Sequence, residues 1–131
     1  MKLLRFLSSV ALVFALSASS LFAGDQKNMS ADELFNGCEL ALKATSGSGL
    51  TDVESLQAMR AMAYVDGYID AIAMVQKTSP QVSIIDFTRQ PSNEVILNRI
   101  VEAIHANPKV RTEGTARIVI MYVLRSLAAN P

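Results

Sequence analysis

Apolar residues recur along the chain in blocks with helical spacing. In the first block Leu34, Cys38 and Ala41, with Phe35 and Leu42 beside them, repeat at three, four and seven, while Glu39 and Lys43 form a favourable pair on the other face. Ser30-Ala-Asp-Glu33 in front of it has the form of a capping box, the Ser30 hydroxyl accepting from the Glu33 backbone and the Glu33 side chain reaching back. The SerGlySerGly run at 46–49 ends the block as a flexible turn. It follows a helix and lacks the third glycine of a dinucleotide fingerprint, so it reads as a linker.

Thr51-Asp-Val-Glu54 is a second capping box, and no proline follows until Pro80. The pattern therefore predicts a long helix from about 52 to 77, roughly 39 Å in length. Residues 80–91 lack a helical period and read as a structured loop, with Val82, Ile84, Ile85 and Phe87 available to tack it to the core. A third helix starts near Ser92 or Asn93, with Leu97, Ile100, Val101 and Ile104 on one face, and stops at Asn107-Pro108. Thr112 is the expected cap of a fourth helix running to about Ala129. Its IVIMYVL run at 118–124 could be a buried strand, but Arg117 and Arg125 flank it without turn signals, and the length favours a central, deeply buried helix. The expectation is all-α: one compact domain of about four helices arranged around a long central helix hairpin.

The stretch AMAYVDGYIDAIAM at 61–74 sets Gly67 in the middle of the long helix, between Asp66 and Asp70. A mid-helix glycine costs about 1 kcal/mol relative to alanine, and carboxylates four apart repel by a few tenths. Met59, Ala63, Gly67, Ala71 and Val75 fall four apart, so 63, 67 and 71 form a ridge of almost no height. A neighbouring helix could approach that ridge closely and offset the cost. Gly67, Ala63, Ala71 and Cys38 are thus the expected structural residues, and Asp66 and Asp70 fall on a solvated flank.

The start of the chain changes the picture of the rest. Lys2 and Arg5, the apolar run 10–16 and the small residue Ala23 before polar GDQKN have the layout of a secretory signal peptide. Cleavage is expected after Ala23, with Ser20 as the alternative, leaving residues 24–131 as the helical domain; the first of these, 24–29, look like a polar tail. Processing removes Lys2 and Arg5 and leaves 10 basic residues against 12 acidic, a net charge of −2, which offers nucleic acid no clustered basic surface. The implied location is the periplasm, with no membrane contact once the leader is gone. Cys38 is the only cysteine, so no internal disulfide can form; it is either a buried small hydrophobe or a link to another chain.

Candidate chemistry is sparse. His105 is the one histidine, and there is no zinc spacing and no Gly-x-Ser-x-Gly elbow. Asp66 and Asp70 are two ligands on one helix, too few by themselves for a metal. Neither catalysis nor a cofactor is expected. Recognition through loops is the better prospect, since binding residues concentrate there: Gln81, Asp86 and Arg89 in one, Lys109 and Arg111 beside Pro108 in the other.

Cys38 in an early helix, GYIDA at 67–71, Ser79-Pro80, and EVILNRIVEAIHANPKVRTEGTARIVIMYVLRSLAANP from 94 to the end resemble the Rap1a/Tai family of immunity proteins, over roughly residues 35–131. The resemblance implies a small, exported, all-helical protein that binds and inhibits a peptidoglycan-cleaving amidase delivered by type VI secretion, so the expected partner is an effector amidase. Val65 and Ser79 stand where typical members carry cysteines, which removes the usual disulfides. Members often dimerise, and an exposed part of the small-residue ridge could serve a homodimer. The alternative is a stand-alone periplasmic structural or stress-related protein of chaperone type.

Overall fold

The computed structural model of the protein describes residues 28–79, 81 and 91–129. The leader at 1–23, its cleavage sites, residues 24–27 and the apolar positions expected in the 80–91 loop lie outside them. Among the described residues there are five helices, α1 (Ala31–Thr45), α2 (Asp52–Thr78), α3 (Asn93–Ala106), α4 (Pro108–Glu113) and α5 (Ala116–Ala129), and the fold is all-α. Among the described residues no helix is long and apolar enough to cross a membrane.

Both capping boxes form. Glu33 donates its backbone N–H to Ser30 Oγ at 3.1 Å, and Ser30 N–H returns to the Glu33 carboxylate at 2.9 Å. At α2 the corresponding bonds are 3.2 Å and 2.7 Å, and the backbone bond from Thr51 lowers the Glu54 pKa. Between these helices Gly47 adopts φ 83°, a left-handed geometry that suits glycine, and Ser46, Gly47 and Ser48 return their N–H groups to the last carbonyls of α1. The connection is a defined turn. Lys43 and Glu54 pair across it at 3.5 Å.

The core is organised by α1, which packs against each of the other four helices. Leu34, Phe35, Cys38 and Ala41 meet Ile96, Leu97, Ile100 and Ile104 of α3 and Val119, Ile120, Val123 and Leu124 of α5 in one cluster. Met29, expected in the polar tail, is 3% exposed and belongs to it. The hairpin of α1 and α2 is there, but its central member is α1 rather than the long helix. The expected centrality of the last helix is also corrected: α5 is buried on one side only, with Ile118 61% and Tyr122 65% exposed.

The single helix expected from Thr112 is divided. Thr112 lies inside α4, its hydroxyl donating to the Lys109 carbonyl, and Gly114 is extended at φ −84°, ψ 162°. A side chain at Gly114 would run into the Val110 carbonyl. The break is held by an isolated antiparallel bridge, in which Ala31 N–H donates to Gly114 O and Ala116 N–H to Met29 O, each at 3.0 Å.

The ridge on α2 also needs correction. Ala63, Gly67 and Ala71 are exposed, and a Cβ built at Gly67 meets nothing within 4 Å. The face turned to the core is the opposite one, Ala58, Ala61, Val65, Ile69 and Ile72. Close helix approach occurs instead at Gly37 of α1, where an added Cβ would collide with Ala61 Cβ and lie 2.9 Å from the Gln57 carbonyl oxygen. α2 has apolar residues on two faces, so small residues alone could not mark the one that packs.

Candidate protein-binding surface

The geometry of one end of the fold follows from Asn107-Pro108. Proline at the first position of α4 needs no N–H partner there, and it disfavours helical backbone at Asn107, which sits at φ −135°, ψ 86°. The chain turns, makes the six residues of α4, turns again at Gly114 and returns as α5 alongside α3. Between them lies a cavity of about 370 Å³, lined by Ala103, Ala106, Asn107, Val110, Ile118, Val119 and Tyr122. Its volume falls within the range of roughly 300–1,000 Å³ typical of ligand and anchor pockets. Tyr122 brings a large apolar ring with a polar tip, and the Asn107 amide supplies a second polar group.

The residues singled out in the sequence are distributed unevenly around this surface. Lys109 is exposed on α4, in the segment that carries Val110, and Gln81 is exposed on a turn elsewhere. Asp86 and Arg89 lie outside the described residues. Arg111, expected to meet a partner, is engaged within the fold. Its Nε donates to Asp32 Oδ1 at 2.6 Å, a second guanidinium nitrogen donates to Asn36 Oδ1 at 2.9 Å, and its carbon stands 4.0 Å over the Phe35 ring. This clamp binds α4 to α1 with charge-assisted bonds and a cation–π contact. Arg111→Lys keeps the charge but loses the planar fork. Because the side chain is 39% exposed, the expected loss is only about 1–2 kcal/mol, read as a lowered unfolding midpoint in urea.

Cys38 is a fully buried free thiol, and burial pushes its pKa up to about 12. It is packed as a small hydrophobe, out of reach of another chain in the folded state. Asp66 and Asp70 are exposed on α2, and Asp66 accepts from Asn93 Nδ2 at 3.4 Å. His105 is exposed at the end of α3. Among the described residues no three His, Cys, Asp or Glu side chains converge in a way that could hold a metal. A second, polar cleft of about 130 Å³ lies between α1 and α2, lined by Met29, Glu33, Asn36, Gln57 and Arg60, with Arg60 and Glu33 paired at 3.6 Å.

Ile118 and Tyr122, the most prominent members of the larger cavity, were hidden in the sequence by their setting. They fall four apart inside IVIMYVL, an apolar run that reads as buried throughout. Comparison with family models, with curated proteins and with solved structures finds no match for this chain.

Proposed function

We propose that the protein is a periplasmic immunity protein that binds a type VI secretion peptidoglycan amidase and inhibits it by covering its active site, without turnover or cofactor. The observation that carries this reading is the open apolar cavity between α3 and α5, with Ile118 and Tyr122 exposed on it and Lys109 close by in sequence on α4. Rigid helices hold these residues, so little ordering is needed on docking. The segment that builds the cavity, 103–122, belongs to the stretch that resembles immunity proteins, and the signal-peptide layout would deliver the chain to the compartment where such amidases act.

The test is binding to an amidase encoded beside this gene. A buried interface tyrosine commonly contributes 2 kcal/mol or more, so Tyr122→Ala together with Ile118→Ser should weaken inhibition at least about 30-fold while the helical circular dichroism is kept. Equal inhibition by variant and wild type would remove the cavity from the interface. Should no amidase bind even the wild type, the immunity reading gives way to a stand-alone structural or stress-related role, measured as suppression of client aggregation.

A further inference from the structure

Charge is divided along this chain. Residues 24–98 carry ten acidic and five basic side chains, a net charge of −5, whereas residues 99–125 carry five basic and two acidic, a net charge of +3. The second segment is the one that builds the cavity between α3 and α5. Of its cations, Arg111 is held by Asp32 of α1, and Arg99 pairs with Glu102 at 3.1 Å. Lys109, Arg117 and Arg125 are exposed and make no ion pair among the described residues.

Helical spacing puts two arginines at one end of the cavity. On α5, Ile118, Tyr122 and Arg125 follow one another at four and three; on α3, Arg99, Ala103 and Ala106 do the same. Each set spans about 60° of its helix, so the line that borders the cavity runs on into an arginine, about 4.5 Å along the axis from Tyr122 and about 6 Å from Ala103. Because α5 returns alongside α3, both arginines lie at the end away from α4. Lys109, beside the lining residue Val110, stands at the other end. The cavity is therefore apolar in its middle and cationic at both ends, and Glu102 and Glu113 offset only part of that charge.

We propose that this surface selects its partner by an acidic segment. A bulky apolar side chain of the partner enters between Val110, Ile118 and Tyr122, and Asp or Glu residues on either side of it meet Arg99 and Arg125 at one end and Lys109 at the other. This rests on the cavity being a protein-docking surface, as the amidase reading has it, and adds what the partner must present there. The rest of the chain repels acidic molecules, so the field also turns the cavity towards them during the encounter. Exposed ion pairs of this kind act mainly on association rate and on choice of partner, and the apolar anchor acts mainly on lifetime.

Two probes separate the apolar part from the charged part. Anilinonaphthalene sulfonate is an aromatic body with one negative charge, and phenylnaphthylamine is nearly the same body without it. Both should fluoresce with the purified protein and lose that signal with the double variant Ile118→Ser, Tyr122→Ala. Lys109→Gln combined with Arg125→Gln should weaken the anion about threefold at low salt, the scale of an exposed ion pair, and leave the neutral probe unchanged. Failure of the anion to bind, binding that survives the loss of Ile118 and Tyr122, or a charge variant that weakens both probes equally or neither would overturn the proposal. With the amidase encoded beside the gene, Lys109→Glu combined with Arg125→Glu should slow association at least about tenfold at low salt and change dissociation little. An unchanged association rate would also overturn it. A wild type that shows the probe selectivity yet binds no amidase would sink the amidase reading alone, and the acidic-segment assignment would stand.

Discussion

Gly37→Leu should destabilise the protein by about 3 kcal/mol or more, lowering the melting temperature by roughly 12–24 °C. The position is the point of closest approach of α1 and α2. A Cβ there collides with Ala61 Cβ and lies 2.9 Å from the Gln57 carbonyl oxygen. Neither obstacle can swing aside, because one is the first side-chain atom and the other the backbone of a rigid helix. Overpacking usually costs about 1–3 kcal/mol, and the remaining carbons of leucine put this case at or above the upper end. Helix propensity acts the other way by up to about 1 kcal/mol, so Gly37→Ala should still destabilise, though less. Melting curves of both variants check this; a Gly37→Ala protein more stable than wild type would show that the helices are not in close contact there.

Cys38 should make the protein labile to alkali. Its pKa is raised from 9.0 to about 12 because α1 holds the thiol out of water in the core. The unfolded chain releases the proton near the ordinary value, while the folded chain keeps it. Below pH 9 both states are protonated and the contribution to stability is fully present; as pH rises from 9 towards 12 the unfolded state gains by ionising, and that stability is lost. The slope is about 1.4 kcal/mol per pH unit, so about 2 kcal/mol should be gone by pH 10.5. Cys38→Ala starts from a lower stability because it leaves a small cavity, but its decline over the same interval should be shallower by that amount. Urea titrations of both proteins at pH 7 and 10.5 measure the difference, and equal declines would mean that the thiol is not held neutral.

What could be read from the chain beforehand divides along the distance over which each feature acts. Ser30 and Thr51 announce their helices because the bonds that start them close within three residues, and Asn107-Pro108 announces a stop because proline acts on its immediate neighbour. The face of α2 that packs was not legible, since periodicity distinguishes buried from exposed only when one side is polar. Gly37 sits among buried neighbours but becomes informative only when set against Ala61 on another helix. The break at Gly114 was missed because Thr112 has the composition of a cap, whereas the extended backbone is held by Met29 and Ala31. Arg111 looked free for a partner for the same reason: its carboxylate and its aromatic ring belong to α1, 79 and 76 positions away along the chain.

The position of α1 bears on the order in which this protein can assemble. Among the described residues α1, which the other four helices all touch, is synthesised before them, and the strand-like bridge that pins its start uses Gly114 and Ala116, far later in the chain. Until α3 is made α1 has only α2 to lean on among the described helices, and the isoleucines of α3 and α5 that share a core with Leu34 and Cys38 do not yet exist. A chain built this way cannot complete its core before α5 has been made and joined to α1.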